Sequence, residues 1–184
     1  MTPREGGAAF AAPRTGGDLP QGHAAPTPRA PVPAPQPVLI EAGGHTCLAW
    51  WHAPAVATAP ALPLAVVLAS SWGTEDLAAY DCLRDLAGAL ADAGLGTLRF
   101  EWPDTGDSSA PSGSTGVAEA LAALHAAADA ARQHSGRPRL ALVGLRIGAL
   151  LAAHAAVARR DVEKLVALAP VASGGAYLCD LLAA

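Results

Sequence analysis

Gly144-Leu145-Arg146-Ile147-Gly148 is the stretch that decides how this chain folds. The apolar run Leu140-Ala141-Leu142-Val143 leads into it, and a long alanine- and leucine-rich helix pattern leads out. Strand, tight Gly-x-x-x-Gly turn and helix is the layout of a nucleophile elbow, in which G-x-S-x-G lifts a serine above a parallel sheet. Here the central residue is Arg146. A guanidinium stays protonated and cannot attack a carbonyl. The same five residues therefore predict a scaffold built for acyl transfer and oppose the chemistry usually done on it.

Working outward, strands and helices alternate. Val38-Leu39-Ile40 and Thr46-Cys47-Leu48-Ala49-Trp50-Trp51 flank Gly43-Gly44 and read as a hairpin. Leu64-Ala65-Val66-Val67-Leu68-Ala69 is a continuous apolar run, as expected of a strand covered on both faces. Residues 77–93 form a helix pattern with Leu83, Leu86 and Leu90 on one stripe and Gly94 at its end. A strand over 96–100, a Gly/Ser/Asp/Pro loop over 103–116 and a helix over 117–133 follow. Then come a strand over 139–143, a helix over 147–159 and a strand over 165–168. This alternation predicts an α/β, doubly wound, mostly parallel sheet with helices on both faces. Ligands in such sheets bind beyond the carboxyl ends of the strands. Three loops meet there: 70–76, 101–108 and the elbow.

With 184 residues the chain allows one domain and a tail. Residues 1–37 hold nine of its 16 prolines, mixed with Gly and Ala. Such a segment buries too little apolar surface to offset its ordering entropy and reads as a disordered tail, leaving 38–184 as the domain. The apolar fraction is 52%, but much of it is alanine, so the core must come from the few Leu/Val/Ile-rich segments. A net charge of -4 gives no basic footprint for nucleic acid. Cys47, Cys82 and Cys179 are odd in number and widely spaced, which fits a reducing cytoplasm better than a disulfide framework. No secretory signal peptide is visible. The longest apolar stretch, 140–157, contains Arg146 and His154 and reads as strand plus helix rather than a membrane span.

Residues 64–181 resemble the α/β-hydrolase superfamily, in particular a bacterial subgroup of serine-aminopeptidase-like and exosortase-A-associated hydrolases. Ala93-Gly94-Leu95-Gly96-Thr97-Leu98-Arg99-Phe100 is similar to that subgroup's A-G-x-x-V-L-R-F strand. Glu101 to Ser108, Glu-Trp-Pro-Asp-Thr-Gly-Asp-Ser, resembles its D-x-x-G-x-G-D-S loop, with Glu101 for Asp and Asp104 for Gly. Gly144 to Ala149 is similar to its G-L-R-L-G-A elbow. Leu168-Ala169-Pro170-Val171, Gly174 and Tyr177-Leu178 resemble the strand and loop that follow. The resemblance implies hydrolysis of ester, amide or peptide bonds as the ancestral activity, without a cofactor. It also implies a chain order of nucleophile, acid, histidine. The strands that would carry the acid and histidine are expected to be missing, a C-terminally truncated arrangement.

Acyl transfer needs a nucleophile, a histidine base, a carboxylate and an oxyanion hole. His154 lies about two turns along the elbow helix and points away from the turn. Asp161, Glu163 and Asp180 are the later carboxylates, each with a solvated role as its plain reading. The oxyanion donors are expected from the Ile147 N–H and from the loop Ser70-Ser71-Trp72-Gly73. Beside them Arg146 would suit a carboxylate or phosphate. The competing reading pairs Arg146 with Glu101 or Asp104 across the loop ends. Ser70, Ser71 and Ser108 have no histidine in sequence reach. Asp104 and Asp107 read as turn residues rather than metal ligands, and no metal is expected. Cys82 reads as buried, His125 and His134 as exposed, and Trp72 and Trp102 as walls of a pocket. The G-x-G-x-x-G fingerprint and the P-loop lysine are missing, so no nucleotide cofactor is expected. Three functions follow: a hydrolase of acyl substrates, a non-catalytic module holding an anionic small molecule at Arg146, or a remnant. An open sheet edge would take a partner chain.

Overall fold

A computed structural model of the chain describes residues 33–55, 63–109 and 116–183. The tail assigned to 1–37 lies largely outside these residues, although Gln36 and Pro37 already belong to the first strand. The elements in order are β1 (Gln36–Ala42), β2 (His45–His52), β3 (Leu64–Ala69), α1 (Thr74–Asp92), β4 (Thr97–Phe100), α2 (Val117–Ser135), β5 (Arg139–Leu145), α3 (Ile147–Ala158), β6 (Val162–Leu168) and α4 (Gly174–Ala183). The strands form one sheet in the order β1-β2-β4-β3-β5-β6. β1 and β2 are the antiparallel hairpin, and β2 pairs antiparallel with β4. β4, β3, β5 and β6 run parallel. The predicted mostly parallel, doubly wound sheet is what the chain forms.

β3 and β5 sit centrally, which is why their apolar runs lack alternation: Ala65, Val67, Leu140 and Leu142 are fully buried. On one face they pack with α2 and α3. On the other, Val66, Leu68 and Ala141 meet the Leu83, Ala87 and Ala91 side of α1. Alanine supplies most of α2's contact, through Ala120, Ala123, Ala127, Ala128 and Ala131. Small side chains let that helix lie close on the sheet, so an alanine-rich chain still builds a dense core.

Three differences from the expected elements have local causes. α1 starts at Thr74 rather than Leu77, because Gly73 (φ 61°) turns the chain and its carbonyl accepts the Asp76 and Leu77 N–H groups. Glu75 and Asp76 then face the helix N-terminus, where negative charge is favoured. β6 starts at Val162, its first half disguised by Glu163 and Lys164, which an edge strand tolerates. α4 begins at two glycines and is anchored by Tyr177, 3% exposed. Cys82 is exposed, not buried, because it sits one residue off the Leu83 stripe. His125 is half-buried, while His134 is exposed and stacks on Trp51.

Candidate functional site

The elbow has the strained backbone its shape requires. Arg146 adopts φ 55° and ψ −117°, a region that side-chain-bearing residues rarely enter. Its N–H donates to the Leu168 carbonyl at 3.0 Å and its carbonyl accepts from Ala149 at 3.1 Å, so the turn is held from both sides. A Cβ on Gly144 would overlap the Ala149 backbone, and one on Gly148 would overlap the Ala69 and Ser70 carbonyls. The two glycines are therefore steric requirements: α3 passes too close to β3 and β5 to carry a side chain there.

Arg146 does not reach Glu101 or Asp104. Its Nε donates to Glu75 Oε1 at 3.1 Å. Glu75 Oε2 accepts from the Ser71 hydroxyl at 2.6 Å and from the Tyr177 hydroxyl at 2.7 Å. The Ser71 and Tyr177 oxygens are 3.1 Å apart, and the Arg146 guanidinium lies 5.8 Å from the centre of the Tyr177 ring. The Ser71 and Tyr177 hydroxyls, with Arg146, hold the Glu75 carboxyl below its usual range. Burial pushes the Tyr177 phenol up, so it remains a neutral donor.

The pairing with Glu101 or Asp104 fails for a local reason. Glu101 turns back into its own loop, where its Oε2 accepts the Asp107 N–H at 2.8 Å against Gly106. Asp104 is exposed at φ 62°. Ser108 is buried and bonded to the Leu48 N–H at 2.9 Å, which pins this loop to β2. Trp102 is 2% exposed and its indole N–H donates to the Ser70 and Ser71 carbonyls. It therefore supports the 70–73 loop from beneath. Trp72 meets it edge-on, and together with Asp104, Gly116 and Ala120 they line a cavity of about 200 Å³.

The structure thus gathers Arg146, Ile147, Ser71 and Trp72, places Gly73 at the start of α1, and leaves Glu101 and Asp104 in a separate loop. Glu75 and Tyr177 were missed as site residues. Glu75 fell just before the predicted helix, and Tyr177 carried no spacing signal. Neither Nη of Arg146 meets an acceptor among the described residues, and the side chain is 38% exposed. The first N–H groups of α3 have no partner within their own helix. Among the described residues no histidine hydrogen-bonds to this cluster. His154 is exposed on α3, and the side chain of Asp180 lies outside the described residues. No group of three or more metal-ligating side chains occurs among the described residues.

The fold is that of the α/β hydrolases. An α/β serine hydrolase without a lid from Xanthomonas campestris matches with a TM-score of 0.66 and 22% identity, over 80% of this chain and 66% of that one. A Pyrococcus furiosus esterase matches at 0.61 and 19%, over 74% of this chain and 51% of that one. Epoxide hydrolase A from Mycobacterium thermoresistibile matches at 0.58 and 25%, over 81% of this chain and 45% of that one. The chain therefore spans roughly half to two thirds of the length of these structures. No family model and no curated protein matches it. No helix among the described residues is long and apolar enough to cross a membrane.

Proposed function

We propose that this chain is an α/β-hydrolase-lineage protein, of the serine-aminopeptidase-like and exosortase-A-associated subgroup, whose elbow binds an anion instead of forming an acyl-enzyme. The observation that carries the reading is the guanidinium of Arg146 at the nucleophile position, with only its Nε hydrogen-bonded among the described residues. Whatever residues surround it, that group cannot accept an acyl group. It can hold a carboxylate or phosphate through its two Nη groups, with the N-terminus of α3 adding backbone donors at Ile147. The Glu75 carboxylate fixes the guanidinium in place and offsets part of its charge, which favours a small, singly or doubly charged ligand over a polyanion. A reducing compartment suits the three thiols, two of them exposed.

The test pairs hydrolysis with binding. Short-chain p-nitrophenyl esters are expected to release p-nitrophenol at the buffer rate, and inorganic phosphate and acetate to raise the melting temperature. Arg146→Gln is expected to remove that rise. Ester turnover above buffer that survives in Arg146→Gln would restore the hydrolase reading. An anion response unchanged in Arg146→Gln would remove the elbow as the binding site.

A further inference from the structure

A second cavity, of about 470 Å³, opens on the α1 side of the sheet, and Arg146 is not on its wall. Its size falls within the roughly 300–1,000 Å³ typical of small-molecule sites. Leu68 of β3 and Leu77, Tyr80 and Leu83 of α1 make it largely apolar. Into this apolar setting β4 places Arg99. Its register partners Trp50 on β2 and Leu68 on β3 put it on the α1 face.

Arg99 is held for recognition but meets no acid among the described residues. Its guanidinium lies 5.5 Å from the Trp50 ring centre and 5.0 Å from that of Tyr80, so it is sandwiched between two aromatic faces. Its Nε donates to His52 Nε2 at 3.3 Å. His52 is buried, and burial together with Arg99 pushes its pKa down, so it accepts as a neutral imidazole. Neither Nη of Arg99 meets an acceptor among the described residues, and no carboxylate pairs with it. A half-buried cation without a counter-ion is costly, and an incoming anion relieves that cost. Two acids also touch the cavity. Glu101 is occupied by the Asp107 N–H. Burial pushes the Asp76 carboxyl above its usual range.

We propose that this cavity is a small-molecule site separate from the elbow. It takes a medium-chain monocarboxylate, with the carboxylate on the Nη groups of Arg99 and the chain along Leu68, Leu77 and Leu83. Contacts with Trp50 and Tyr80 and the hydrogen bond to His52 restrict the guanidinium before the ligand arrives, which lowers the entropic cost of binding. Arg146 lines neither of the cavities described above, so chain length is expected to matter at Arg99.

Calorimetric titration of the full chain with acetate, octanoate, octan-1-ol and octylamine, each below its micelle concentration, tests this. Octanoate is expected to bind at least tenfold tighter than acetate, octan-1-ol and octylamine. That gain should persist in Arg146→Gln and vanish in Arg99→Gln. The proposal is overturned if octanoate shows no gain over acetate, if octan-1-ol or octylamine binds as tightly, or if the gain survives Arg99→Gln. Loss of the gain in Arg146→Gln would assign it to the elbow instead. The comparison of ligands on the native chain decides the matter even if Arg99→Gln fails to fold.

Discussion

Arg146 and Glu75 organise the elbow. An arginine there brings a long cation that must find a partner, and the nearest acid is in the first turn of α1. Glu75 then draws in Ser71 and Tyr177, so the elbow, the 70–73 loop and α4 become one polar cluster. This arrangement has a pH signature. The folded state holds the Glu75 carboxyl below its ordinary 4.5, so its contribution is fully present above pH 4.5 and is lost as pH falls below that toward the folded value. Glu75→Gln should therefore be less stable than the native chain at pH 7, and the two should converge on acidification. Urea midpoints measured from pH 7 to pH 3 read this directly. Parallel curves would mean that Glu75 is equally easy to protonate folded and unfolded. Asp161 is also held low, by Arg159, and supplies an acid-side slope common to both proteins.

Between elements, the joint of α2, α3 and β6 depends on Arg159. It follows directly after α3, and its side chain is 11% exposed. Nη2 bonds Asp129 of α2 at 2.6 Å and Asp161 at 2.7 Å, Nε bonds the other oxygen of Asp161 at 3.0 Å, and Nη1 bonds the His125 carbonyl at 3.2 Å. Asp161 also accepts from Arg132 at 3.1 Å. One planar fork thus fastens two helices to the start of a strand. Arg159→Ala is expected to cost about 2–3 kcal/mol in denaturant unfolding, since it strands a largely buried Asp161. Arg159→Lys should recover only part, because a lysine cannot span both carboxylate oxygens and a carbonyl. A loss below about 0.5 kcal/mol would show that Arg132 alone suffices for Asp161.

For the whole molecule, the sheet is asymmetric. β3 and β5 are enclosed, whereas β6 is the outer strand among the described residues and exposes apolar side chains on both faces. Leu142 pairs with Leu165 on the α3 side, and Val143 pairs with Val166 on the α1 side. Leu165 is 42% and Val166 44% exposed. An edge with free backbone groups and apolar side chains on both faces is a template for further pairing. Val166→Lys should change stability by less than about 1 kcal/mol, yet reduce concentration-dependent association in light scattering. Equal scattering from both proteins would clear β6 of that role.

The sequence by itself determined the scaffold. Gly144 and Gly148, the unbroken apolar runs of β3 and β5, and the leucine stripe of α1 each report a local requirement: no room for a side chain, burial on two faces, burial on one. Such requirements are written in residue type and spacing, so the α/β alternation and the elbow could be read directly. Only the tertiary structure decided what Arg146 touches. Arg146, the Ser71–Glu75 stretch and Tyr177 come from three separate segments, and their meeting depends on how far α1 extends backward and where α4 docks. The sequence suggested Glu101 because it ends a neighbouring strand. It could not show that the Asp107 N–H captures that carboxylate first. Arg99 is the same case: its place on a strand was legible, but its contacts with Trp50, His52 and Tyr80, and the lack of a counter-ion among the described residues, are facts about three elements packed together, and no single stretch encodes them.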